Sequence, residues 1–240
     1  MDTPILIPTD MNKIPFFYLL QISDPMFPIG GFTQSYGLET YVQKGIVHDA
    51  ETSKKYLESY LLNGFLYNDL LAVRLSWEYT QKGNLNKVLE LSEVFSASKA
   101  PRELRTANEK LGRRFIKILE FVLGENEIFC EMYERVGRGS VEVSYPVMYG
   151  FCTNLLNIGK KETLSAFTYS VASSIINNCA KLVPISQSEG QKILFNAHGI
   201  FRRLLERVEE LDEKYLGSCC SGFDLRAMQH ERLYTRLYVS

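Results

Sequence analysis

Residues Leu19 to Glu39 read LLQISDPMFPIGGFTQSYGLE, and the rest of the chain is arranged around this segment. Its apolar run ends at Asp24, and two prolines then prevent a regular helix until a Gly-Gly pair at 30–31 allows a sharp reversal. Hydroxyl and amide side chains at 33–35 precede apolar residues at helical spacing, which predicts a second helix that begins here. The glycines lack the Lys-Ser/Thr pair of a phosphate-binding loop. Two interpretations stay open: a turn with a helix cap, and a surface shaped for contact with a partner.

The composition is that of an ordinary globular protein. The 240 residues include 45% hydrophobic and 23% charged side chains, enough for one sizeable core. A net charge of −1 gives no general attraction to nucleic acid or to an acidic membrane. The N-terminus lacks the pattern of a signal peptide, and no apolar run approaches the roughly 20 residues that span a bilayer. Five scattered cysteines suggest no disulfide framework, so we expect a cytoplasmic protein.

Helical periodicity dominates the chain from residue 15 onward. Asp49 and the Ser186-Gln-Ser-Glu189 capping box mark helix starts, and we expect the helix after Ser186 to run to about Tyr215. Gly64 and Asn68 are expected to break an otherwise continuous pattern. No convincing alternating strand run appears. The sequence therefore predicts an all-α protein, a single-domain helical bundle of about ten helices.

The pattern divides the chain into three parts. Residues 1–14 are predicted to form an extended N-terminal arm, residues 15–216 a helical domain, and residues 217–240 a small-residue linker with a C-terminal docking tail. The tail carries more apolar side chains than a short segment can bury alone, together with three arginines. Docking onto the chain's own body and docking onto another chain are both open, and we favour the other chain.

The candidates for catalytic chemistry are weak. The three histidines, at positions 48, 198 and 230, have no metal-binding spacing and are interpreted as structural or surface residues. Cys219 and Cys220 could hold a soft metal across a dimer, although adjacent linker cysteines are more often incidental. A hydrolase site with Cys179, His198 and a carboxylate is a further alternative. Because Cys179 lies on an apolar helix face, a buried inert thiol is the better interpretation.

The Arg102-Glu103 pair follows Pro101 at the start of a long amphipathic helix. We interpret this pair as a solvated first turn, in which the helix dipole favours the Glu103 carboxylate.

Both ends of the chain resemble one family. The order Ser-Asp, proline, Gly-Gly-Phe and Ser-Tyr-Gly-Leu-Glu within residues 23–39 resembles the N-terminal signature of the UreF family of urease accessory proteins. The final LYTRLYVS resembles the family's C-terminal signature, and internal stretches extend the likeness over nearly the whole chain. The resemblance implies an all-helical protein without catalysis of its own that serves assembly of the urease nickel centre.

The resemblance also implies partners. UreF proteins form a homodimer, bind UreD/UreH, recruit the GTPase UreG, which carries nickel, and engage apo-urease. No cofactor of the chain's own is implied, since the complex handles the nickel. Tyr36 and Arg236 are the leading single candidates for partner contact. The full set of partner-binding residues carried over by motif is Ser35, Tyr36, Gly37, Glu39, Met228, His230, Glu231, Tyr234, Arg236 and Leu237.

Two mechanisms fit this expectation. In the first, the helix surfaces position the GTPase, and differential binding of its nucleotide states provides regulation. In the second, Arg102 or Arg236 acts as an arginine finger on the GTPase. The rival from another class is a small all-helical hydrolase that uses a Cys or carboxylate site.

Overall fold

The computed structural model describes residues 14–139, 141–218 and 220–239. The predicted extended arm, apart from Ile14, lies outside these ranges. The described residues are mainly helical and contain no strand, which confirms the all-α prediction. The helices are α1 Ile14–Ser23, α2 Leu38–Gln43, α3 Ala50–Ser59, α4 Leu71–Gln81, α5 Leu85–Ser98, α6 Arg102–Leu123, α7 Glu127–Gly137, α8 Tyr145–Leu155, α9 Lys160–Leu182, α10 Gln187–Glu209 and α11 Ser221–His230.

No break separates α3 from α4. The intervening segment Tyr60–Leu70 is a π-helix, so α3, this segment and α4 form one continuous rod. The predicted break at Gly64 and Asn68 is therefore wrong. The Asn68 amide donates to the Gly64 carbonyl oxygen at 2.9 Å, which satisfies a group within the widened turns. Counted with this fusion, the described part of the chain contains ten separate α-helical rods, in agreement with the expected number.

The crossing of α4 and α8 forms the centre of the molecule. Gly150 of α8 lies so close to the Val73 carbonyl oxygen of α4 that a β-carbon there would collide with it. The buried Ser76 hydroxyl donates to the Val147 carbonyl oxygen at 2.6 Å across the same crossing. Gly112 similarly lets α6 approach the start of α8, where Val143 lies 2.8 Å from the position a β-carbon would take. Small residues thus bring three central helices together.

Aromatic rings fill the space between these helices and α9. Phe115, Tyr145, Tyr149 and Phe167 form a contact network with ring centroids 4.9–6.1 Å apart. Phe65, from the π-helical segment, stacks on Phe167 at 5.8 Å. The network fixes the arrangement of the π-helical segment, α6, α8 and α9, because large rings lose contact area if any of these helices shifts.

Helix α10 begins as predicted and ends early. The Ser186 and Glu189 side chains form the expected capping box. The helix ends at Glu209, not near Tyr215, because the buried Arg74 guanidinium donates to the carbonyl oxygens of Glu209 (3.3 Å) and Leu211 (2.6 Å). A side chain from α4 thus caps the C-terminus of α10. Within the described ranges, no helix is long and apolar enough to cross a membrane.

The C-terminal tail, residues 217–240, returns to the body of the chain. Ser221 and Gly222, predicted as part of the linker, form the first turn of α11. Helix α11 packs against α2 and α6. This arrangement brings the tail onto the signature stretch, residues 19–39.

Candidate functional site: the docked C-terminal tail

The signature stretch is a tight turn followed by α2. The Asp24 carboxylate accepts the Met26 backbone N–H at 2.7 Å, and Gly30 has a φ of +92°. Tyr36 (φ +53°) and Gly37 (φ +86°) also lie in the left-handed region. A non-glycine residue in this conformation is strained and is typical of functional positions. The predicted turn is present, but α2 begins after Gly37 and has no side-chain cap.

Helix α11 sits directly on this strained turn. A β-carbon at Gly37 would lie 3.1 Å from the Ala227 backbone nitrogen and 3.2 Å from its Cα. Glycine therefore serves two purposes, the positive φ and the close approach of α11. At the start of α11, the Phe223 ring contacts Tyr41, Tyr56 and Tyr60 with centroids 5.4–5.6 Å apart.

Four ionisable side chains join the tail to the body, and we name them the charged cluster: Glu39, Glu103, His230 and Arg236. The buried His230 ring bonds Glu103 through Nδ1 at 2.8 Å and Glu39 through Nε2 at 3.0 Å. The Arg236 guanidinium donates to the other oxygen of Glu103 at 2.7 Å. The His230 ring thus bridges the two carboxylates, one at each ring nitrogen.

Backbone groups of the tail complete the cluster. Glu39 accepts the backbone N–H groups of Leu237 at 2.7 Å and Tyr238 at 3.2 Å. The Val239 N–H donates to the Thr33 carbonyl oxygen at 2.9 Å. A carboxylate only 4% exposed is thus satisfied almost entirely by the tail. Burial of Glu39 depends on the tail being docked, because an unpaired buried carboxylate is costly.

Docking leaves part of the tail's apolar surface in contact with solvent. Tyr234 is fully exposed, and Leu237, Met228 and Val239 are also exposed. Tyr238 points inward instead, where burial and then the Glu39 charge raise the pKa of its phenol. The docked tail therefore presents apolar side chains from a backbone that is held in place.

The structure brings the predicted partner-binding residues of both chain ends together. Glu231 accepts from Arg102 at 3.1 Å beside the charged cluster. Ser35 is buried, and within the described residues its hydroxyl has no hydrogen-bond partner. Tyr36 is partly buried, and burial, then the Asp69 charge, raises the pKa of its phenol. Whether these residues contact a partner stays a prediction.

Two interpretations made from the sequence need correction. The described part of the tail packs on the chain's own body, the alternative that we did not favour. Glu103 is not a solvated first-turn residue, because its side chain is one-fifth exposed and binds both His230 and Arg236. The only sequence signal for this role was an acidic residue just after Pro101, which also suits an ordinary helix start.

Comparison with known proteins agrees with the motifs at the chain ends. The UreF family model matches residues 47–198. Urease accessory protein UreF of Haemophilus influenzae (strain PittGG) is 38% identical over 223 residues, which cover 92% of this chain and 94% of the relative. The chain belongs to the UreF family. The protein of the same name from Actinobacillus pleuropneumoniae serotype 5b (strain L20) is 37% identical, over 92% of this chain and 97% of the relative. The one from Bacillus sp. (strain TB-90) is 28% identical, over 96% of this chain and 100% of the relative.

The matched UreF region lies between the two terminal segments. It contains helices α3 to α9 and part of α10, whereas Glu39, His230 and Arg236 lie outside it. The docking of the tail onto the signature stretch is therefore a property read from the structure.

The structure places the two named residues of the rival hydrolase, Cys179 and His198, in different surroundings. The Cys179 thiol is fully buried, and burial raises its pKa to about 11, so the reactive thiolate is scarce at neutral pH. His198 is exposed on α10 and contacts the rings of Phe195 and Phe201. Cys220 is partly buried, and Cys219 lies outside the described residues. Across residues 14–139, 141–218 and 220–239, no group of three or more His, Cys, Asp and Glu side chains could hold a metal ion.

Proposed function

We propose that this chain is a non-catalytic helical scaffold in urease maturation. In this proposal it forms a homodimer, binds UreD/UreH and recruits the GTPase UreG to apo-urease, so that GTP hydrolysis is coupled to nickel insertion. The protein acts in the cytoplasm. Nickel is cargo handled by the complex, and the chain needs no cofactor of its own.

The observation that carries the proposal is the docked tail with its exposed apolar groups. Tyr234 and Leu237 face solvent, while the Leu237 backbone N–H donates to Glu39 and the neighbouring Arg236 side chain donates to Glu103. A pre-ordered aromatic anchor loses little conformational freedom on binding, which is typical of residues that dominate an interface. Family membership supports the identity of the partners.

Deleting residues 229–240 tests the scaffold proposal. This deletion removes the apolar groups together with His230 and Arg236, so we expect the shortened chain to lose capture of UreD/UreH in a pull-down. The control is Arg138→Ala, which removes an exposed ion pair with Glu134 of α7 and leaves the tail intact. Retained capture by the shortened chain would contradict the proposal.

Two arginine substitutions separate the scaffold from the arginine finger. Arg102 is the more available arginine, since its side chain is 75% exposed, whereas Arg236 is held by Glu103. We expect Arg102→Ala and Arg236→Ala to change UreG turnover only when they also change complex assembly. Loss of GTP turnover in a fully assembled complex would instead identify an arginine finger.

A further inference from the structure

Helix α6 has a charge unlike that of the chain as a whole. It carries six Lys and Arg side chains and three Glu side chains, a net charge of +3 on a chain whose total is −1. The excess positive charge is therefore local, and the remainder of the chain is acidic.

The three carboxylates of α6 are already engaged. Glu103 belongs to the charged cluster, and Glu109 accepts from Arg113 at 3.0 Å within the helix. Glu120 accepts the Tyr133 phenol O–H at 2.7 Å. The exposed cations of α6 are consequently not neutralised by the acidic residues of the same helix.

Four cations form an exposed line along α6, which we name the basic stripe: Arg102, Lys110, Arg114 and Lys117. Their spacings of eight, four and three residues keep them on one face of the helix. At one end of the stripe, Arg102 and Lys110 line an open cleft together with Val239 of the docked tail. Phe121, which is 95% exposed, lies at its other end. From Arg102 to Phe121 the helix rises about 28 Å.

The cations in the middle of the stripe are available to bind carboxylates of another molecule. Among the residues that the structure describes, Lys110 and Lys117 form no ion pair, and Arg114 donates only to the Ile29 carbonyl oxygen of the signature stretch, at 3.1 Å. The stripe thus runs from the docked tail past the signature stretch, alongside the surface that we propose for partner contact.

We propose that the basic stripe is a docking surface for an acidic amphipathic helix of a partner protein. The occupant spans about five turns, the length of the stripe, and carries carboxylates at three- and four-residue intervals with an apolar side chain at one end to cover Phe121. Charge complementarity favours a narrow acidic helix over a membrane or nucleic acid, because Glu109 and Glu120 lie on the same helix and Glu231 is paired with Arg102, which puts negative charge close to the stripe and disfavours a broad polyanion. The inference depends on the proposed function only for the identity of the partner.

A peptide-binding experiment on the full chain tests the stripe directly. The probe is a fluorescent 20-residue amphipathic peptide with Glu at three- and four-residue intervals and a terminal Leu-Phe pair, measured by anisotropy at low and high salt. We expect binding that weakens with salt and is at least about tenfold weaker in Lys110→Glu/Lys117→Glu. The matched control is Lys82→Glu/Lys192→Glu, which makes the same charge change at exposed positions elsewhere and should change affinity less than about twofold.

Equal binding by the stripe variant and the control, or no binding by the wild type, would overturn the inference. Capture of phosphatidylserine vesicles in preference to the peptide would also overturn it, in favour of a membrane surface. The same variants assayed with purified UreD/UreH and UreG separate this inference from the proposed function. If the wild type captures neither protein, the proposed function fails while the peptide result still decides the stripe. If it captures them and peptide binding is indifferent to charge reversal, only the stripe inference fails.

Discussion

Removing the His230 ring should release the tail without unfolding the body. In His230→Ala, Glu39 and Glu103 each lose their hydrogen bond with the His230 ring. Hydrogen bonds to charged groups contribute about 1.5–3 kcal/mol each. Glu39 keeps the amides of Leu237 and Tyr238, and Glu103 keeps Arg236, so neither carboxylate is left without a donor. We therefore expect tail docking to weaken by about 2–4 kcal/mol.

Hydrogen exchange at the Leu237 and Tyr238 amides measures this loss. Both amides donate to Glu39 and should exchange when the tail opens, so their exchange should accelerate by about 30- to 700-fold in His230→Ala. Arg102→Ala is the matched control, because it removes the exposed Arg102–Glu231 pair beside the cluster and should change exchange by less than about fivefold. Exchange within threefold of the wild type in His230→Ala would refute the assignment of the cluster as the tail's main attachment.

Three further perturbations test other parts of the structure. Gly37→Ala should destabilise tail docking by about 1–3 kcal/mol, seen as faster amide exchange in α11, because φ is +86° and a β-carbon meets Ala227; unchanged exchange would contradict this. Arg74→Ala should lower the free energy of unfolding, measured by urea denaturation, by about 2–4 kcal/mol, because two carbonyl groups at the end of α10 lose their donor. A change below about 0.5 kcal/mol would be inconsistent with that cap. Native Cys179 should resist iodoacetamide at pH 8, three pH units below its pKa of about 11, while the partly exposed Cys130 is labelled; preferential labelling of Cys179 in mass spectrometry would restore the hydrolase alternative.

Local sequence rules predicted most of the helices because those helices depend on periodicity and caps. The Asp49 cap and the Ser186–Glu189 capping box form as expected, and the apolar face of α6 is buried. These features involve residues three or four positions apart, so a single sequence contains the whole signal.

The features that were missed depend on residues far apart in the chain. Arg74 ends α10 from 135 residues away, which no local pattern near Glu209 indicates. Glu103 and His230 meet across 127 residues, and each alone suits a simpler role. The sequence favoured docking of the tail onto another chain, and its packing on the chain's own body was missed for the same reason. Motifs marked both ends of the chain as important, but only the fold shows that they contact each other.

If the docked tail presents a partner-binding surface, Tyr234→Ala should weaken partner binding without changing the stability of the fold. Because Tyr234 is fully exposed, its truncation should leave the thermal unfolding midpoint unchanged, while affinity of the full chain for UreD/UreH falls by about 30-fold, as for an interface anchor. Tyr215→Ala, at another exposed tyrosine outside the docked tail, is the control and should bind normally. Affinities are measured by biolayer interferometry. Wild-type affinity for UreD/UreH in Tyr234→Ala would show that the docked tail does not provide this binding surface.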